Sequence, residues 1–263
     1  MTDIQRAMRL EVDSVSKLYP SGRGVTEALR DVDLQVLPGE FICIIGGSGC
    51  GKSTLLNLIA GLDSPTSGEI RLGGAPVTGP GPDRTLMFQD AALFPWLNVK
   101  KNVEMAPKLA GRTKEEQSEI AQHYLDLVHL HGFESAWIHE LSGGMRQRVA
   151  LARCLAANPT VLLMDEPFAA LDALTRDHVH DELERAWLET GKTVVFVTHN
   201  VIEAVRLADR VILLSNRPGQ LKAVWRITLE RPRHAEDLEV AEIAATITAQ
   251  LHKEVSSRVR QRL

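Results

Sequence analysis

A short apolar run, a glycine-rich segment and a helical pattern follow one another around residue 50. The apolar run 41–45 has the length of a buried strand, and the segment 46–51 contains four glycines. Four apolar residues then recur at helical spacing: Leu55, Leu58, Ile59 and Leu62. Gly61 stands where a left-handed cap would end this helix. A strand that leads through a glycine loop into a helix predicts an α/β fold with a parallel sheet.

The same alternation continues along the chain. Further strands are predicted at 161–164, 193–197 and 211–214, with a helix at 174–190 that Gly191 would end. With 44% hydrophobic and 24% charged residues, the composition is that of an ordinary globular protein and excludes disordered and collagen-like classes. We therefore predict an α/β protein with a mostly parallel sheet.

The middle and the end of the chain depart from this alternation. Between about residues 98 and 157 the patterns are helical, which predicts an inserted α-helical subdomain. Thr113 and Glu116 form a capping-box pattern there, and Ser142 is the expected cap of a later helix. After about residue 226 the periodicity fades, and we expect a solvated, partly helical extension.

Charge, hydropathy and cysteine content restrict the cellular setting. A net charge of −4 gives no basic field, so nucleic acid is not an expected partner. The longest apolar runs are far shorter than the roughly 20 residues of a membrane helix. The N-terminus lacks the apolar core of a signal peptide. The three cysteines are expected to be reduced thiols, which favours a cytoplasmic location.

Residues 46–53 match the P-loop pattern G-x-x-x-x-G-K-S. Glycines there let backbone N–H groups close around phosphate oxygens, Lys52 adds a positive charge, and Ser53 is expected to hold Mg²⁺. A plain glycine turn is the alternative, but it needs neither the lysine nor the serine. A bulky reagent on the Cys50 thiol is expected to block the site. The predicted nucleotide contacts are Gly46, Gly47, Ser48, Gly49, Cys50, Gly51, Lys52, Ser53 and Thr54.

Two adjacent carboxylates follow the predicted strand at 161–164. Ligands of open α/β sheets bind at the carboxyl ends of the strands. Asp165 is therefore expected to hold Mg²⁺, and Glu166 to polarise an attacking water. A simple acidic turn remains the alternative for this pair alone.

Residues 141–148, with the sequence LSGGMRQR, form a second glycine-containing helix start. Ser142 would cap the helix, and Gly143 and Gly144 would expose backbone N–H groups to a phosphate. One nucleotide does not need two such loops unless a second copy of the protein supplies one of them. Two such loops are therefore compatible with a nucleotide that lies between two chains.

The run 141–148 resembles the signature motif of the ATP-binding cassette family. The resemblance to the nucleotide-binding subunits of ABC transporters extends from about residue 9 to about 225. It implies a P-loop NTPase core with an antiparallel β subdomain and an inserted helical subdomain. The implied division is a cassette over 1–225 and an extension over 226–263. It also implies ATP and Mg²⁺ as ligands, and a second ATP-binding subunit that is either identical or a paralogue.

The resemblance implies roles for further residues. Tyr19 matches the aromatic residue that stacks on adenine, and Gln89 the glutamine that touches Mg²⁺ and the attacking water. Asp172, with Ala170 in the same loop, matches the segment that crosses between the two subunits. His199 matches the switch histidine near the γ-phosphate. The implied catalytic residues are Glu166, His199 and Gln89, and the implied metal ligands are Ser53, Gln89 and Asp165.

Several segments are similar to those of nitrate, sulfonate and taurine importers: 79–84, 88–96, 168–176 and 215–219. This similarity implies an ATP-hydrolysing motor at the cytoplasmic face of the membrane, with a separate permease and, indirectly, a solute-binding protein. The same motor for bicarbonate or a thiamine precursor remains open. A soluble ABC ATPase outside transport and a P-loop kinase are less favoured, because the chain lacks basic arms and a kinase has no use for the signature.

The permease is expected to contact the segment 90–97, just after Gln89. Apolar side chains there are Leu93, Phe94 and Trp96, and an exposed apolar patch usually marks a partner site. The alternative is that these side chains fill the core beneath the helical subdomain.

Overall fold

The computed structural model describes residues 7–22, 24–169 and 171–260, which form two compact units. We call residues 7–81 together with 193–260 the terminal unit, and residues 82–192 the central unit. The strands are β1 (Leu10–Ser21), β2 (Gly24–Val36), β3 (Phe41–Ile45), β4 (Ser67–Leu72), β5 (Ala75–Pro76), β6 (Arg84–Met87), β7 (Val161–Asp165), β8 (Thr193–Val197), β9 (Arg210–Leu214) and β10 (Leu221–Arg226). The helices are α1 (Lys52–Ala60), α2 (Val99–Leu109), α3 (Lys114–Leu127), α4 (Gly143–Ala156), α5 (Ala173–Thr190), α6 (Val201–Leu207) and α7 (Leu238–Arg260), with a short 3-10 helix at Ile138–Glu140.

The terminal unit contains strands of two sheets. One sheet is antiparallel, in the order β2-β1-β4-β5. In the other, β3 lies between β8 and β9 and runs parallel to both, and β10 pairs with β9 in the antiparallel sense. Every residue of β3 and β8 is buried, as is typical of strands covered on both faces. The predicted parallel sheet and antiparallel β subdomain are both confirmed.

Helix α1 follows the glycine loop as predicted. It ends at Gly61, whose φ of 73° is in the left-handed region and whose N–H bonds back to the last turn. A side chain at Gly61 would collide with the Gly79 carbonyl, since an added Cβ would lie 2.2 Å from that oxygen. The glycine therefore both ends the helix and permits a close chain crossing.

The central unit combines the parallel pair β6 and β7 with a group of helices. Helices α2, α3 and α4 pack on one another, and α4 also contacts β6 and α5. Thr113 and Glu116 form the predicted capping box of α3, and Ser142 caps α4 through a bond from the Met145 N–H. Helix α5 ends at Gly191 in the left-handed region, as predicted.

The extension beyond residue 226 is partly helical, as predicted, but it is not solvated throughout. Helix α7 packs against α6, and one face of α7 is buried through Val240, Ala244 and Ile247. These residues have the i, i+4, i+7 spacing of an apolar stripe. Across the described part of the chain, no helix combines the length and the apolar character needed to span a membrane.

Candidate functional site

The predicted site residues are divided between the two units. The terminal unit carries Tyr19, the loop 46–54 and His199, whereas the central unit carries the predicted residues that lie between 89 and 172. Ala170 lies outside the described residues. Each group has its own geometry.

The glycine loop has the backbone shape of an anion-binding turn. Gly51 has a φ of 106°, and an added Cβ would lie 2.6 Å from the Leu29 Cδ2 atom and 2.9 Å from the Ala28 carbonyl oxygen. No other residue fits this position without strain. Helix α1 starts immediately afterwards with no side-chain cap on its first N–H groups. Apart from the Lys52 N–H, which interacts with the Cys50 thiol, these N–H groups are available to an external acceptor, as phosphate binding requires.

Lys52 is the buried cation of this loop. The residue is only 7% exposed. Its Nζ donates to the Gly46 carbonyl at 2.9 Å and to the Gly47 carbonyl at 3.3 Å. Both acceptors are uncharged, so within the described structure the ammonium has no paired carboxylate. A buried charge of this kind is stabilised by a bound anion. The loop therefore fits the phosphates of a nucleotide.

The Cys50 thiol is buried within the loop. The residue is 1% exposed, and its Sγ lies only 2.7 Å from where a Cβ on Gly46 would be. Burial raises the pKa of the Cys50 thiol, so the reactive thiolate is scarce. Burial slows the reaction of this thiol, and the expectation that a bulky reagent on it blocks the site stays a prediction.

Tyr19 is held by polar partners near the start of α1. Its hydroxyl donates to Asp63 at 2.8 Å and also interacts with the Thr54 hydroxyl. The ammonium of Lys17 donates to Asp63 at 2.6 Å and lies 4.9 Å from the centre of the Tyr19 ring. Burial and the neighbouring carboxylate raise the pKa of Tyr19, while the Lys17 bond lowers the pKa of Asp63. No sequence pattern pointed to Lys17 and Asp63, whose contacts fix the ring of the predicted adenine-binding residue.

His199 lies at the same sheet edge as the glycine loop. Strands β3 and β8 are parallel neighbours with Ile44 opposite Val197, and the Thr198 N–H donates to the Ile44 carbonyl at 3.2 Å. The loop follows β3 and His199 follows β8, so both leave the sheet at its carboxyl edge. His199 is exposed, whereas Thr198 before it is buried. The structure thus brings the predicted phosphate loop and the predicted switch histidine together.

In the central unit, the two carboxylates follow β7 as predicted. Asp165 is the last residue of the strand, and both Asp165 and Glu166 are half-buried. Glu166 has a φ of 44°, a left-handed backbone that is uncommon for any residue except glycine. Such local strain persists where the surroundings enforce it, and it concentrates at functional sites. Because of this turn, the backbone at Glu166 departs from the extended conformation of β7, which ends at Asp165.

Gln89 leaves the neighbouring strand at the same edge. Strands β6 and β7 are parallel with Met87 opposite Met164, so the exposed Gln89 and the acidic pair follow adjacent strand ends. The Gln89 carbonyl accepts a bond from the Gln147 side chain of α4 at 3.0 Å. Gln147 lies within the run 141–148, but the sequence analysis gave it no role.

A second residue of α4 binds the segment after Gln89. The guanidinium of Arg153 donates to the carbonyls of Ala91 and Ala92 at 2.9 and 2.8 Å. It also lies 5.5 Å from the centre of the Phe94 ring. Helix α4, which begins with the predicted signature, is therefore joined to Gln89 by Gln147 and to the following segment by Arg153. No sequence pattern pointed to Arg153.

The signature glycines differ in their surroundings. A Cβ added at Gly143 would meet nothing within 4 Å, whereas one added at Gly144 would lie 2.6 Å from the Thr175 Cγ2 atom. Thr175 is in the first turn of α5, where its N–H donates to the Asp172 side chain at 3.0 Å. The structure therefore places Asp172 and Gly144 at two helix starts that pack together. Gly143 is open to a ligand.

The apolar segment 90–97 is partly exposed. Trp96 is 68% exposed and its ring centre lies 5.5 Å from that of Phe94. Leu93 and Phe94 are half-buried, and Asn102 holds the Phe94 backbone through bonds to its N–H and its carbonyl. The alternative that all three apolar side chains fill the core is therefore wrong for Trp96.

Comparison with known proteins agrees with this geometry. A family model described as ABC transporter matches residues 29–169. An uncharacterised ABC transporter ATP-binding protein of Methanocaldococcus jannaschii is 48% identical over 94% of this chain and 93% of its own length. A nitrate import ATP-binding protein of Synechocystis is 49% identical, with 84% of each chain covered. A taurine import ATP-binding protein of Burkholderia thailandensis is 52% identical over 82% of this chain and 83% of its own length.

A solved structure shares the fold. It is a dimeric post-hydrolysis state of an ATP-binding cassette bound to ADP and Pi, with a TM-score of 0.75 and 34% identity. The match covers 84% of this chain and all of the other.

Proposed function

The chain belongs to the ABC transporter family as an ATP-binding subunit, and from that premise we propose that it powers the import of a small anionic solute through a separate permease. Members of this family hydrolyse ATP to drive transport, so the protein is an ATPase. The observation that best supports nucleotide binding by this chain is the glycine loop. There Lys52 is buried against two carbonyls, and α1 starts without a cap.

Binding of ATP is assigned to the loop and to Tyr19. The N–H groups at the start of α1 and the Lys52 ammonium would receive the phosphates, and the fixed Tyr19 ring would stack on the adenine. The hydroxyl of Ser53, the side-chain carbonyl of Gln89 and the carboxylate of Asp165 are the oxygen donors that Mg²⁺ prefers. When bound there, Mg²⁺ would neutralise charge on the phosphates. These ligand assignments are part of the proposal.

Hydrolysis is assigned to Glu166 and His199. Glu166 would accept a proton from the attacking water as the water oxygen bonds to the γ-phosphorus and the bond from that phosphorus to the leaving ADP oxygen breaks, and Gln89 would orient the water. His199, at the edge of the sheet beside the loop, would donate a hydrogen bond to the γ-phosphate. We assign Ser142, Gly143 and Gly144 to the phosphates of the nucleotide held by a second copy or a paralogue. Asp172 belongs to the loop that meets that copy.

The coupling to the membrane is assigned to the segment after Gln89. Trp96 is the most exposed aromatic side chain of that segment, and a large exposed apolar side chain suits a protein contact. Because Arg153 binds this segment and Gln147 binds the Gln89 carbonyl just before it, movement of helix α4 would reach the permease contact through them. We place the chain at the cytoplasmic face of the membrane, with a solute-binding protein acting through the permease.

The solute class is inferred from relatives. Proteins about 50% identical to this chain are named for nitrate import and taurine import. Nitrate and the sulfonate group of taurine are both small oxyanions, so we propose nitrate, sulfonates or taurine as the solute class. Bicarbonate and thiamine precursors are the alternative solutes for the same motor.

Growth and uptake test this proposal. A strain that lacks only this chain is grown with nitrate as sole nitrogen source and, separately, with an alkanesulfonate or taurine as sole sulfur source. Expression of the wild type should restore a selective defect, and Glu166→Gln should not. Glu119→Gln is the matched control, since Glu119 is an exposed residue of α3. Normal growth under every condition would contradict the solute class, while the ATPase assignment rests on nucleotide binding and hydrolysis.

A further inference from the structure

The C-terminal end of helix α6 is held by two arginines of the extension beyond residue 226. An α-helix leaves its last four carbonyl oxygens without partners inside the helix. In α6 these oxygens belong to Val205, Arg206, Leu207 and Ala208. The Nη1 group of Arg233 donates to three of them at 2.7 to 3.4 Å. The Nη2 group of Arg231 donates to the fourth, that of Leu207, at 2.7 Å.

The extension itself orients Arg233. Its Nη2 and Nε groups donate to the Leu229 carbonyl at 2.8 and 3.1 Å, and Nη2 also lies 3.4 Å from the Ile227 carbonyl. The residue is only 3% exposed. A guanidinium has five N–H donors in a rigid plane, so it can join two chain segments at a fixed angle. A positive charge at a helix C-terminus also interacts favourably with the helix dipole.

Arg231 connects the same helix end to the strand before the glycine loop. Its Nη2 group donates to the Asp209 carboxylate at 2.9 Å. The other oxygen of that carboxylate accepts the Phe41 N–H at 2.9 Å, and the Asp209 N–H donates to the Phe41 carbonyl at 2.8 Å. Phe41 begins β3, the strand that leads into the loop around Lys52. We call Arg231 and Arg233 together the arginine clamp.

His199 lies at the opposite, N-terminal end of α6, directly before its cap Asn200. The Asn200 side chain caps α6, and it accepts bonds from the Ile202 and Glu203 N–H groups at 3.0 and 3.3 Å. The Thr198 hydroxyl accepts the Asn200 N–H at 3.0 Å and donates to the buried Glu203 carboxylate. The two chain neighbours of His199, Thr198 and Asn200, are thus both bound to the first turn of α6. A shift of α6 would therefore move the imidazole.

Helix α6 is too short to be stable alone. It has seven residues, and isolated helices shorter than about 12 residues are marginal in water. Its position therefore depends on packing and on both of its caps. Resting on the proposed function of His199, we infer that Arg233, with Arg231, is a positioning residue for ATP hydrolysis: the arginine clamp fixes α6 and thereby the distance of His199 from the γ-phosphate.

A double-mutant cycle in the full-length protein tests this inference. The variants are Arg233→Met, His199→Ala and both together, with kcat for ATP and the Kd of a non-hydrolysable ATP analogue measured for each. Arg226→Met is the matched control, because Arg226 is an exposed arginine of β10 in the same extension. We expect Arg233→Met to lower kcat about tenfold through misplacement of His199 and to leave Kd within about twofold of the wild type. In the His199→Ala background the same substitution should change kcat less than about twofold, since the two residues act as a unit.

Three results would overturn the inference. One is an equal loss of kcat from Arg233→Met in both backgrounds, which would indicate a general structural effect. Another is a Kd that weakens in step with kcat. The third is a His199→Ala variant with the kcat of the wild type. That result would show that His199 has no role in hydrolysis, but it would not contradict ATP hydrolysis by this chain. A wild type that binds no ATP would instead refute the proposed function and this inference with it.

If Arg233→Met does not fold, Arg231→Met takes its place in the same double-mutant cycle. This substitution removes the bonds to Leu207 and Asp209 and leaves Arg233 in place. The same kcat loss and the same non-additivity with His199→Ala are expected, to a smaller extent. Amide hydrogen exchange should increase in α6 and remain unchanged in α1. Faster exchange in both helices, with additive loss of kcat, would contradict a positioning role.

Discussion

Replacing Gly144 by alanine tests the packing of the signature helix against α5. The added Cβ would lie 2.6 Å from the Thr175 Cγ2 atom, closer than real carbon contacts allow, and its next neighbours would lie at 3.7 and 3.9 Å. Overpacking of this kind costs about 1–3 kcal/mol. The higher helix propensity of alanine relative to glycine offsets up to about 1 kcal/mol of this cost. We therefore expect the free energy of unfolding to fall by about 1 kcal/mol, or roughly 2–4 °C in Tm for a chain of this size.

Thr175→Ser provides the decisive control. Serine lacks the Cγ2 methyl group but keeps the hydroxyl, and the backbone N–H that bonds Asp172 is unchanged. In the Thr175→Ser background, Gly144→Ala should lose its cost and become neutral or slightly stabilising. The coupling between the two substitutions should therefore be about 1–3 kcal/mol, above the error of additivity for independent sites. Gly143→Ala, which meets nothing within 4 Å, should not destabilise in either background.

The assay is thermal and urea unfolding of the nucleotide-free protein, followed by circular dichroism for all variants. Additive effects of Gly144→Ala and Thr175→Ser would refute the reasoning, because they would mean that the close contact does not cost energy. Destabilisation by Gly143→Ala equal to that by Gly144→Ala would refute it as well. Gly143→Ala should nevertheless impair hydrolysis, if its backbone contacts the nucleotide of the second copy.

Three further predictions concern buried groups. Burial raises the pKa of Glu182 to about 7 against the opposing effect of Arg148. Its contribution to stability is therefore full below the unfolded value of 4.5 and is lost as pH rises through about 7. Raising the pH from 5 to 8 should lower the Tm of the wild type more than that of Glu182→Gln, and equal shifts would contradict the assignment. The Cys50 thiol should react with Ellman's reagent at least about tenfold more slowly than a free thiol, because it is buried with a raised pKa; reaction at the free rate would place it at the surface. Lys52→Ala should abolish binding of a fluorescent ATP analogue, whereas undiminished binding would remove the loop from the site.

Local patterns in the sequence predicted the elements that carry the site. Strand β3, the glycine loop and α1 were predictable because an apolar run, positive-φ glycines and a 3.6-residue period are all local signals. Thr113 and Ser142 were predictable as caps for the same reason. The roles of Tyr19, Gln89 and His199 came from the resemblance to a known family, and they remain predictions.

Other features depend on contacts between distant segments and left no local signal. Arg233 binds carbonyls that lie about 25 residues earlier in the chain, so nothing in its own neighbourhood marks it as buried. Gln147 binds the Gln89 carbonyl and Arg153 binds the Ala91 carbonyl, each across some 60 residues of sequence. The left-handed turn at Glu166 is invisible in the sequence because the residue type disfavours it. The buried stripe of α7 was missed because apolar residues such as Leu238, Ala241 and Ala245 also occupy exposed positions of this helix, so no single face stands out in the sequence.

We would test the claim that this chain hydrolyses ATP as a dimer, with Glu166 as the proton acceptor, by comparing ATP hydrolysis and ATP-dependent dimerisation of Glu166→Gln with those of the wild type. The account predicts that the variant binds ATP as tightly as the wild type, hydrolyses it at least about a hundredfold more slowly because the proton acceptor is lost, and accumulates as a dimer in light scattering. Hydrolysis at the wild-type rate, or a variant that stays monomeric at saturating ATP, would contradict it.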